Sequence, residues 1–289
     1  MRALTPAAVL ALAVIAGSAM DATIKHLAQT NHILLVTLGR YAFGALFSFG
    51  LWARAGAPRI NAEMLRAHGL RGGIIAASGS MFFWGLSVLP LAEVITLSFV
   101  GALLIPFAAR LMIGERLRLP NVAAALIGFV GVVVAAQGAP TSAEAPGHAL
   151  GVTAVLTASG LFAVAMVLLR ARAQSDGPIV VGLLASAMPA LYLLVPAVAV
   201  APPPLWSDWP MFLLMGLFAA VFMYLIARAY AGAETQLLAP IHYSELLWAS
   251  LLGFVVFHET PRPQIYFGAA IIIGACLYSA YAERRLTVR

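Results

Sequence analysis

The chain has 289 residues, of which 62% are hydrophobic and only 10% are charged, and its mean hydropathy is +0.96. Soluble globular chains carry about 25% charged residues, so this composition excludes an ordinary soluble domain and indicates a membrane protein. The formal net charge of +6 does not indicate a nucleic-acid partner, because the basic residues lie mainly at the ends of apolar stretches. With Cys276 as the only cysteine, an intrachain disulfide is excluded.

The apolar stretches are long enough to cross a bilayer, which requires about 20 mainly apolar residues in a helix. Ten such stretches follow one another with short connections. In chain order they are Leu4–Ala22, Ile33–Ala53, Gly72–Leu91, Val94–Ile113, Val122–Gln137, Gly151–Leu169, Ile179–Val200, Pro210–Ala227, Thr235–Phe257 and Ile265–Tyr281. The sequence therefore predicts an all-α membrane protein with ten transmembrane helices.

The arginines predict the orientation of these spans, because Lys and Arg near helix ends are retained on the cytoplasmic side. With ten spans, 14 arginines lie on one face, whereas only Lys25 and Arg262 lie on the other and Arg40 falls within a span. Adding or removing one span would destroy this asymmetry. We therefore expect a multi-pass protein of the bacterial inner membrane with both termini in the cytoplasm. The basic segment Arg59–Arg71 is interpreted as a solvated cytoplasmic loop, with lipid headgroup or partner binding as the alternative.

Internal matches between the fourth and fifth spans and the ninth and tenth spans indicate a tandem duplication. The matched pairs, with their separation in residues, are Glu115 and Glu259 (144), Pro120 and Pro263 (143), and Gly131 and Gly274 (143). We predict two five-helix repeats, residues 1–140 and 147–289. Because five is odd, the second repeat must be inverted in the membrane. Inverted repeats are typical of secondary transporters, although they also occur in some channels, and their substrate sites lie near the bilayer midplane.

This arrangement resembles the drug/metabolite transporter superfamily, in its EamA-type ten-helix branch. The resemblance rests on the two sets of five helices, on Leu38-Gly39-Arg40-Tyr41 in the second span, and on Gly114-Glu115 and His258-Glu259 at the ends of the fourth and ninth spans. It covers essentially the whole chain, and His258 replaces the glycine that is usual in the family. The resemblance implies a secondary transporter similar to those that export amino acids and related metabolites, and it implies a place for Lys25 at the outer mouth of the cavity.

Two ionisable residues are predicted to lie deep in the membrane, where such groups are costly and commonly functional. Arg40 lies about 12 Å into the second helix from His32, and Glu245 lies about 16 Å into the ninth from Glu234. These depths nearly coincide at the midplane. The two residues could pair with each other, or they could line a cavity in which Arg40 attracts a substrate carboxylate and Glu245 an ammonium group.

Further candidates surround this pair. Pro240 frees a backbone carbonyl just before His242, which shares a helix face with Glu245; both His242 and Glu245 are candidates for proton coupling. Pro106 and Pro240 are candidate hinges, with a tolerated kink as the alternative. The predicted substrate-binding residues are Arg40, Glu245, His242, Tyr243, Trp84, Phe99, Trp248, Ser98 and Lys25.

Four charged residues receive structural interpretations. Asp21 and Lys25, four residues apart near the outer end of the first helix, are expected to form an interfacial ion pair. Glu93 and Glu234 begin helices, where a carboxylate meets the positive end of the helix dipole.

The sequence shows no P-loop, no HExxH, no cysteine cluster and no GxSxG, so we expect neither an enzyme nor a cofactor or metal. The predicted function is export of amino acids or similar small amphiphilic metabolites by alternating access. The alternatives are an exporter of cationic drugs and a passive channel. The expected partners are a small-molecule substrate, the lipid bilayer and protons as a candidate coupling ion, without nucleic acid, and the functional unit is expected to be a monomer.

Overall fold

The computed structural model describes residues 5–114, 119–136, 147–232 and 244–287. These ranges contain α-helices, one short 3-10 helix at Trp206–Asp208, and no strand. The helices are α1 (Pro6–Leu27), α2 (Ile33–Arg54), α3 (Ala62–Val88), α4 (Leu91–Ser98), α5 (Val100–Ile113), α6 (Leu119–Ala136), α7 (His148–Asp176), α8 (Pro178–Val200), α9 (Trp209–Gly232), α10 (Glu245–Phe257) and α11 (Pro263–Thr287).

The fourth predicted span is divided into α4 and α5. Only Phe99 separates them, and its backbone keeps right-handed helical angles (φ −60°, ψ −20°). Pro106, a predicted hinge, lies seven residues beyond this break, inside α5. The other predicted hinge, Pro240, lies outside the described residues, as does the beginning of the ninth predicted span, of which α10 is the end.

Six stretches in the described residues are long and apolar enough to cross a membrane. They are Ala8–Leu27, Ile33–Arg54, Leu91–Met112, His148–Leu169, Ile179–Val200 and Trp206–Ile226. Three shorter apolar helices, Val122–Val134, Glu245–Phe257 and Pro263–Ala275, accompany them.

The distribution of polar and apolar side chains suits a lipid environment. The apolar side chains of Trp206, Val195 and Phe267 are 89%, 75% and 67% exposed. In contrast, the acidic residues Asp21 and Glu93 are only 5% and 0% exposed. Large apolar side chains on the outside and charged groups inside are expected when the surroundings are hydrocarbon, since an apolar surface costs nothing there and a charge costs a great deal.

The structure confirms some predicted boundaries and changes others. Helices α2 and α8 begin and end within one residue of the predicted spans. Helix α1, however, continues to Leu27, five residues beyond the predicted end at Ala22. Lys25 and His26 lie in its last turn, where a cationic side chain interacts favourably with the helix dipole.

The interpretation of Arg59–Arg71 as a solvated loop is wrong. Helix α3 begins at Ala62, and the side chain of Asn61 caps it. His68 and Arg71 are only 2% and 7% exposed. The polar first turns of α3 are helical because α7 extends beyond its predicted end and packs against α3.

The helix pairs are related to one another in a regular way. Helix α1 packs on α9, and α3 packs on α7; α2 contacts α9, and α3 contacts α8. Three further pairs are α2 with α8, α4 with α10, and α6 with α11. The first four of these contacts thus form two pairs in which the halves exchange roles, and the last three join corresponding helices of the two halves.

Two glycines permit close backbone approaches at two of these contacts. A methyl group at Gly216 would lie 2.9 Å from the carbonyl carbon of Phe43, so α9 and α2 meet backbone to backbone. A methyl group at Gly72 would lie 3.2 Å from the carbonyl carbon of Met188, so α3 and α8 meet in the same way. Gly72 and Gly216 are 144 residues apart, and Phe43 and Met188 are 145 apart.

We expect Gly216→Ala to destabilise the protein by about 1–3 kcal/mol, because the added methyl group forces α9 away from Phe43. Gly182→Ala on α8 is the matched control, since nothing lies within 4 Å of a methyl group there. The measurement is the Tm of each purified variant in detergent. Equal Tm values for the two variants would contradict the proposed contact.

The ends of α5 and α10 also correspond. Gly114, at the end of α5, has φ 70°, and His258, at the end of α10, has φ 55°. The two positions are 144 residues apart. Glycine is favoured in this left-handed conformation because it has no Cβ. This explains why glycine is usual where His258 stands.

Candidate functional site

Arg40 lies inside the helix bundle against aromatic rings. Its guanidinium carbon is 4.2 Å from the centroid of the Tyr41 ring and 6.0 Å from that of Phe83. Such contacts favour a cation by about 0.5–2 kcal/mol. The Arg40 Nε atom is buried and has no hydrogen-bond partner in the described part of the chain. At least one donor of this guanidinium therefore remains available for a ligand.

Two carboxylates belong to the same region. Asp21 on α1 is 5% exposed, and both Glu245 on α10 and Arg40 on α2 act electrostatically on it. Among the described residues, no hydrogen bond or ion pair joins Asp21, Arg40 and Glu245 to one another or to another side chain. The alternative in which Arg40 and Glu245 form an ion pair is therefore wrong for this structure. The three ionisable groups come from three helices, and the charges of Arg40 and Glu245 act on Asp21 without an ion pair among the described residues. We call them the central cluster.

The predicted ion pair between Asp21 and Lys25 is also wrong. Since α1 continues to Leu27, Asp21 lies about 9 Å inside the helix end and not at the membrane surface. Its carboxylate belongs to the central cluster, and Lys25 binds elsewhere.

Lys25 connects four segments of the chain. Its Nζ lies 2.8 Å from Oε1 of Glu259 and donates to the main-chain oxygens of Leu86, at 3.0 Å, and Leu89. The other carboxylate oxygen of Glu259 accepts the N–H of Leu91 at 2.9 Å. These bonds join α1, the end of α3, the start of α4 and the segment after α10. We call this group the Lys25 network.

A second buried pair lies beside it. Glu93 is fully buried, and its Oε1 lies 3.0 Å from Nε2 of His148, which links α4 to α7. Glu93 lies in the first turn of α4, as expected for a favourable interaction with the helix dipole, and the structure adds His148 as its partner. The corresponding Glu234 lies outside the described residues.

The opposite ends of α3 and α7 carry a third group. His68 Nε2 lies 3.1 Å from Oδ2 of Asp176, and Arg172 donates to Asp176 and to Glu63. His68 precedes the predicted third span, and burial lowers its pKa more strongly than Asp176 raises it. The ring is therefore neutral at pH 7 and acts as a hydrogen-bonding group.

The remaining predicted site residues have varied positions. Ser98 donates its hydroxyl to the Ile95 oxygen of its own helix, at 2.8 Å, and Phe99 is buried at the α4–α5 junction. Trp248 packs in an apolar cluster with Phe222. His242 and Tyr243 lie outside the described residues.

The adjacent side chains of Trp84 and Phe83 face different parts of the structure. Trp84 lines a surface pocket of about 370 Å³ between α3 and α7, whereas Phe83 faces Arg40. The sequence predicts Trp84 as a binding residue, whereas the structure places Phe83, Tyr41 and Asp21 around Arg40. A charge inside an apolar stretch was the signal for Asp21, but the predicted helix end placed it too near the surface.

Comparisons with known proteins agree with this architecture. Residues 149–281, which extend from α7 into α11, match the family model of EamA-like transporters. The S-adenosylmethionine uptake transporter of Rickettsia bellii is 22% identical over 95% of this chain and 92% of its own length. The riboflavin transporter of Rhizobium johnstonii is 29% identical over 85% of this chain and 80% of its own. The pseudopaline exporter CntI of Pseudomonas aeruginosa is 22% identical over 90% of both chains.

A solved crystal structure of a protein has the same fold, with a TM-score of 0.65 and 22% identity over 96% of this chain and 98% of that chain.

The fold and these relatives define a multi-pass membrane transporter of small metabolites, and not an enzyme. Within that class, residues 149–281 match the family of EamA-like transporters, which agrees with the resemblance to the drug/metabolite transporters that the sequence predicts.

Proposed function

We propose that this protein is a secondary transporter that exports amino acids or similar small amphiphilic metabolites across the inner membrane by alternating access. The observations that support the proposal are the buried Nε of Arg40, which has no hydrogen-bond partner, and the buried carboxylate of Asp21, on which Arg40 and Glu245 act electrostatically. A guanidinium suits a substrate carboxylate and a carboxylate suits an ammonium group. The rings of Tyr41 and Phe83 offer an apolar surface beside them.

We further propose ten membrane spans in two inverted repeats, residues 1–140 and 147–289. The exchange of roles in the helix pairs supports this arrangement. So do the glycines at the α3–α8 and α9–α2 contacts and the left-handed residues that end α5 and α10, both separated by 144 residues. Two inverted copies can exchange conformations and open one central site to either side in turn.

The proposed orientation places both termini in the cytoplasm, and the Lys25 network then lies on the outer side of the central cluster. Its bonds connect the first repeat to Glu259 of the second. In this arrangement the structure is closed on the outer side, and outward opening requires the Lys25–Glu259 ion pair to break. Glu245, and His242 beyond the described residues, are the proposed proton-coupling groups.

The second candidate substrate is a cationic drug, which the two carboxylates of the central cluster favour. A passive channel is less compatible with the Lys25 network, since a channel needs a continuous polar path and these bonds join both halves across it. The named relatives include both uptake transporters and an exporter, so the assay must measure both directions.

The test is transport by the purified protein in liposomes of known orientation, against a panel of amino acids and organic cations, with and without a proton gradient. Saturable movement of zwitterionic amino acids or similar metabolites is the expected result. Movement of organic cations alone would replace the proposal with the cation alternative. Linear, unsaturable flux would indicate a channel.

A further inference from the structure

Arg71 on α3 is a buried cation that the proposed site does not use. The residue is 7% exposed, and its Nε atom is buried without a hydrogen-bond partner in the described part of the chain. No other atom of its guanidinium makes a hydrogen bond or an ion pair with the residues that the structure describes. The next residue, Gly72, holds this turn inside the bundle, because it packs against the backbone of Met188 on α8. A buried cation is costly unless it is paired, so this position favours an anionic partner.

Tyr41 shows where Arg71 lies relative to the rest of the bundle. The Tyr41 hydroxyl lies 3.5 Å from the main-chain oxygen of Ile75, and it would lie only 2.6 Å from a methyl group at Gly79. Ile75 follows Arg71 by about one helical turn, and residues four apart are neighbours on a helix surface. The hydroxyl therefore contacts the strip of α3 that begins at Arg71.

The guanidinium of Arg40 lies farther along this helix. Its central carbon is 4.2 Å from the centroid of the Tyr41 ring and 6.0 Å from that of Phe83. Phe83 lies about 18 Å beyond Arg71 along the axis of α3. Arg71 thus lies towards the start of α3 and the Arg40 guanidinium towards its end, with the Tyr41 hydroxyl between these two levels. In the proposed orientation, the level of Arg71 is on the cytoplasmic side.

The depth of Arg71 argues against a lipid headgroup as its partner. The residue lies about 14 Å along the helix axis from the start of α3 at Ala62. The exposed side chains of Glu63 and Arg66 occupy the turns between. A headgroup phosphate would meet these exposed residues before it met Arg71.

The buried carboxylate at this end of α3 is already bound. Asp176 lies 3.1 Å from Nε2 of His68, and it accepts a hydrogen bond from Arg172 at 3.3 Å. In the described ranges no ion pair joins Asp176 to Arg71. A small ligand that enters the bundle is then the source of the anion.

We propose that Arg71 is a second anion-binding site on the transport path, which binds the carboxylate of the substrate on the cytoplasmic side of Tyr41 before Arg40 receives it. A guanidinium binds a carboxylate through charge-assisted hydrogen bonds. This inference rests on the proposed function and specifies its substrate class, because each substrate that uses this path carries a free carboxylate.

The test measures how fast phenylglyoxal, which reacts with arginine side chains, modifies Arg71 in proteoliposomes of phosphatidylcholine, with each arginine followed by mass spectrometry. The probes are L-methionine and 3-(methylthio)propylamine, which is methionine without its carboxylate. At about ten times its Kd, L-methionine should slow the modification of Arg71 by about 10-fold, and the amine should not slow it. Arg66, an exposed arginine of the same helix, is the matched control and should react equally in all samples. If the transport panel shows a preference for another amino acid, that compound and its decarboxylated amine replace this pair.

Two variants separate binding at Arg71 from events at the central cluster. Protection of Arg71 by L-methionine should persist in Arg40→Ala, because each guanidinium binds a carboxylate by itself. Arg71→Gln should lower kcat/KM for L-methionine by about 10-fold, and Arg71→Lys, which keeps the charge, by less. Arg66→Gln should leave transport unchanged. Should Arg71→Gln fail to fold, the protection of Arg71 in the wild-type protein decides.

Each result decides one proposal. The inference is wrong if L-methionine does not protect Arg71, if the amine protects it equally, or if Arg40→Ala abolishes the protection. It is also wrong if Arg71→Gln transports L-methionine at the wild-type kcat/KM. Arg71 that stays unmodified while Arg66 reacts would overturn it too, since a site on the path must admit a molecule of this size.

Vesicles that contain phosphatidylglycerol test the lipid alternative. If they protect Arg71 without any amino acid, the anion is a lipid phosphate and the inference is wrong. In all these cases, transport of amino acids in the panel still supports the proposed function. If no amino acid is transported, the proposed function itself is wrong.

Discussion

Arg40→Ala is expected to abolish transport of amino acids. The substitution removes a cation that acts on Asp21 and leaves a bound carboxylate without a partner. Removing one member of a buried, charge-assisted interaction costs about 2–5 kcal/mol, which reduces kcat/KM by at least about 30-fold. The measurement is amino-acid transport in proteoliposomes that contain equal amounts of folded protein.

The control for this variant is Arg54→Ala, which removes an exposed arginine at the end of the same helix and should leave transport unchanged. An organic cation without a carboxylate provides a second comparison. If the wild-type protein transports this cation, Arg40→Ala should transport it equally well, because binding of the cation does not need the guanidinium. Wild-type amino-acid transport by Arg40→Ala would show that Arg40 is not in the binding site.

Glu245→Gln is expected to abolish the pH dependence of transport while expression stays normal. Glutamine has nearly the same shape but cannot exchange a proton, so a transport cycle coupled through this carboxylate loses its proton step. The measurement is the initial rate of transport in vesicles from about pH 5.5 to 8.5, with and without a proton gradient.

Glu63→Gln is the matched control, because Glu63 is an exposed carboxylate whose partner is Arg172 at the far ends of α3 and α7. It should keep the wild-type pH profile. A Glu245→Gln variant that responded to pH in the same way as the wild type would exclude Glu245 as the coupling residue.

The sequence predicts the ends of a helix best where they coincide with the ends of an apolar, lipid-spanning stretch. Helices α2 and α8 agree within one residue because their apolar stretches end at clear polar or proline boundaries. The start of α3 could not be predicted, because its first turns are polar on one side and become buried only when α7 packs against them. A hydropathy pattern contains no information about that partner.

The central cluster was partly predictable. Arg40 and Glu245 stand out because an ionisable residue in an apolar stretch is rare and expensive. Phe83 could not be separated from Trp84, since adjacent residues on a helix face different neighbours and the sequence does not name those neighbours. Lys25 and Glu259 are 234 residues apart, and nothing local in either segment indicates their ion pair.

Alternating access can be tested most directly by locking the Lys25 network. In a Cys276→Ser background, the double substitution Lys25→Cys and Glu259→Cys places two thiols at the ends of the present ion pair. A bifunctional methanethiosulfonate would bridge them, and dithiothreitol would release the bridge. Each single-cysteine variant, treated in the same way, controls for modification without bridging.

We expect bridging to stop transport in both directions and reduction to restore it, because the bridged protein can no longer open its site to the outside. Transport that continues at the unbridged rate, with the bridge shown to be intact by mass spectrometry, would contradict a carrier that must separate its two halves on this side.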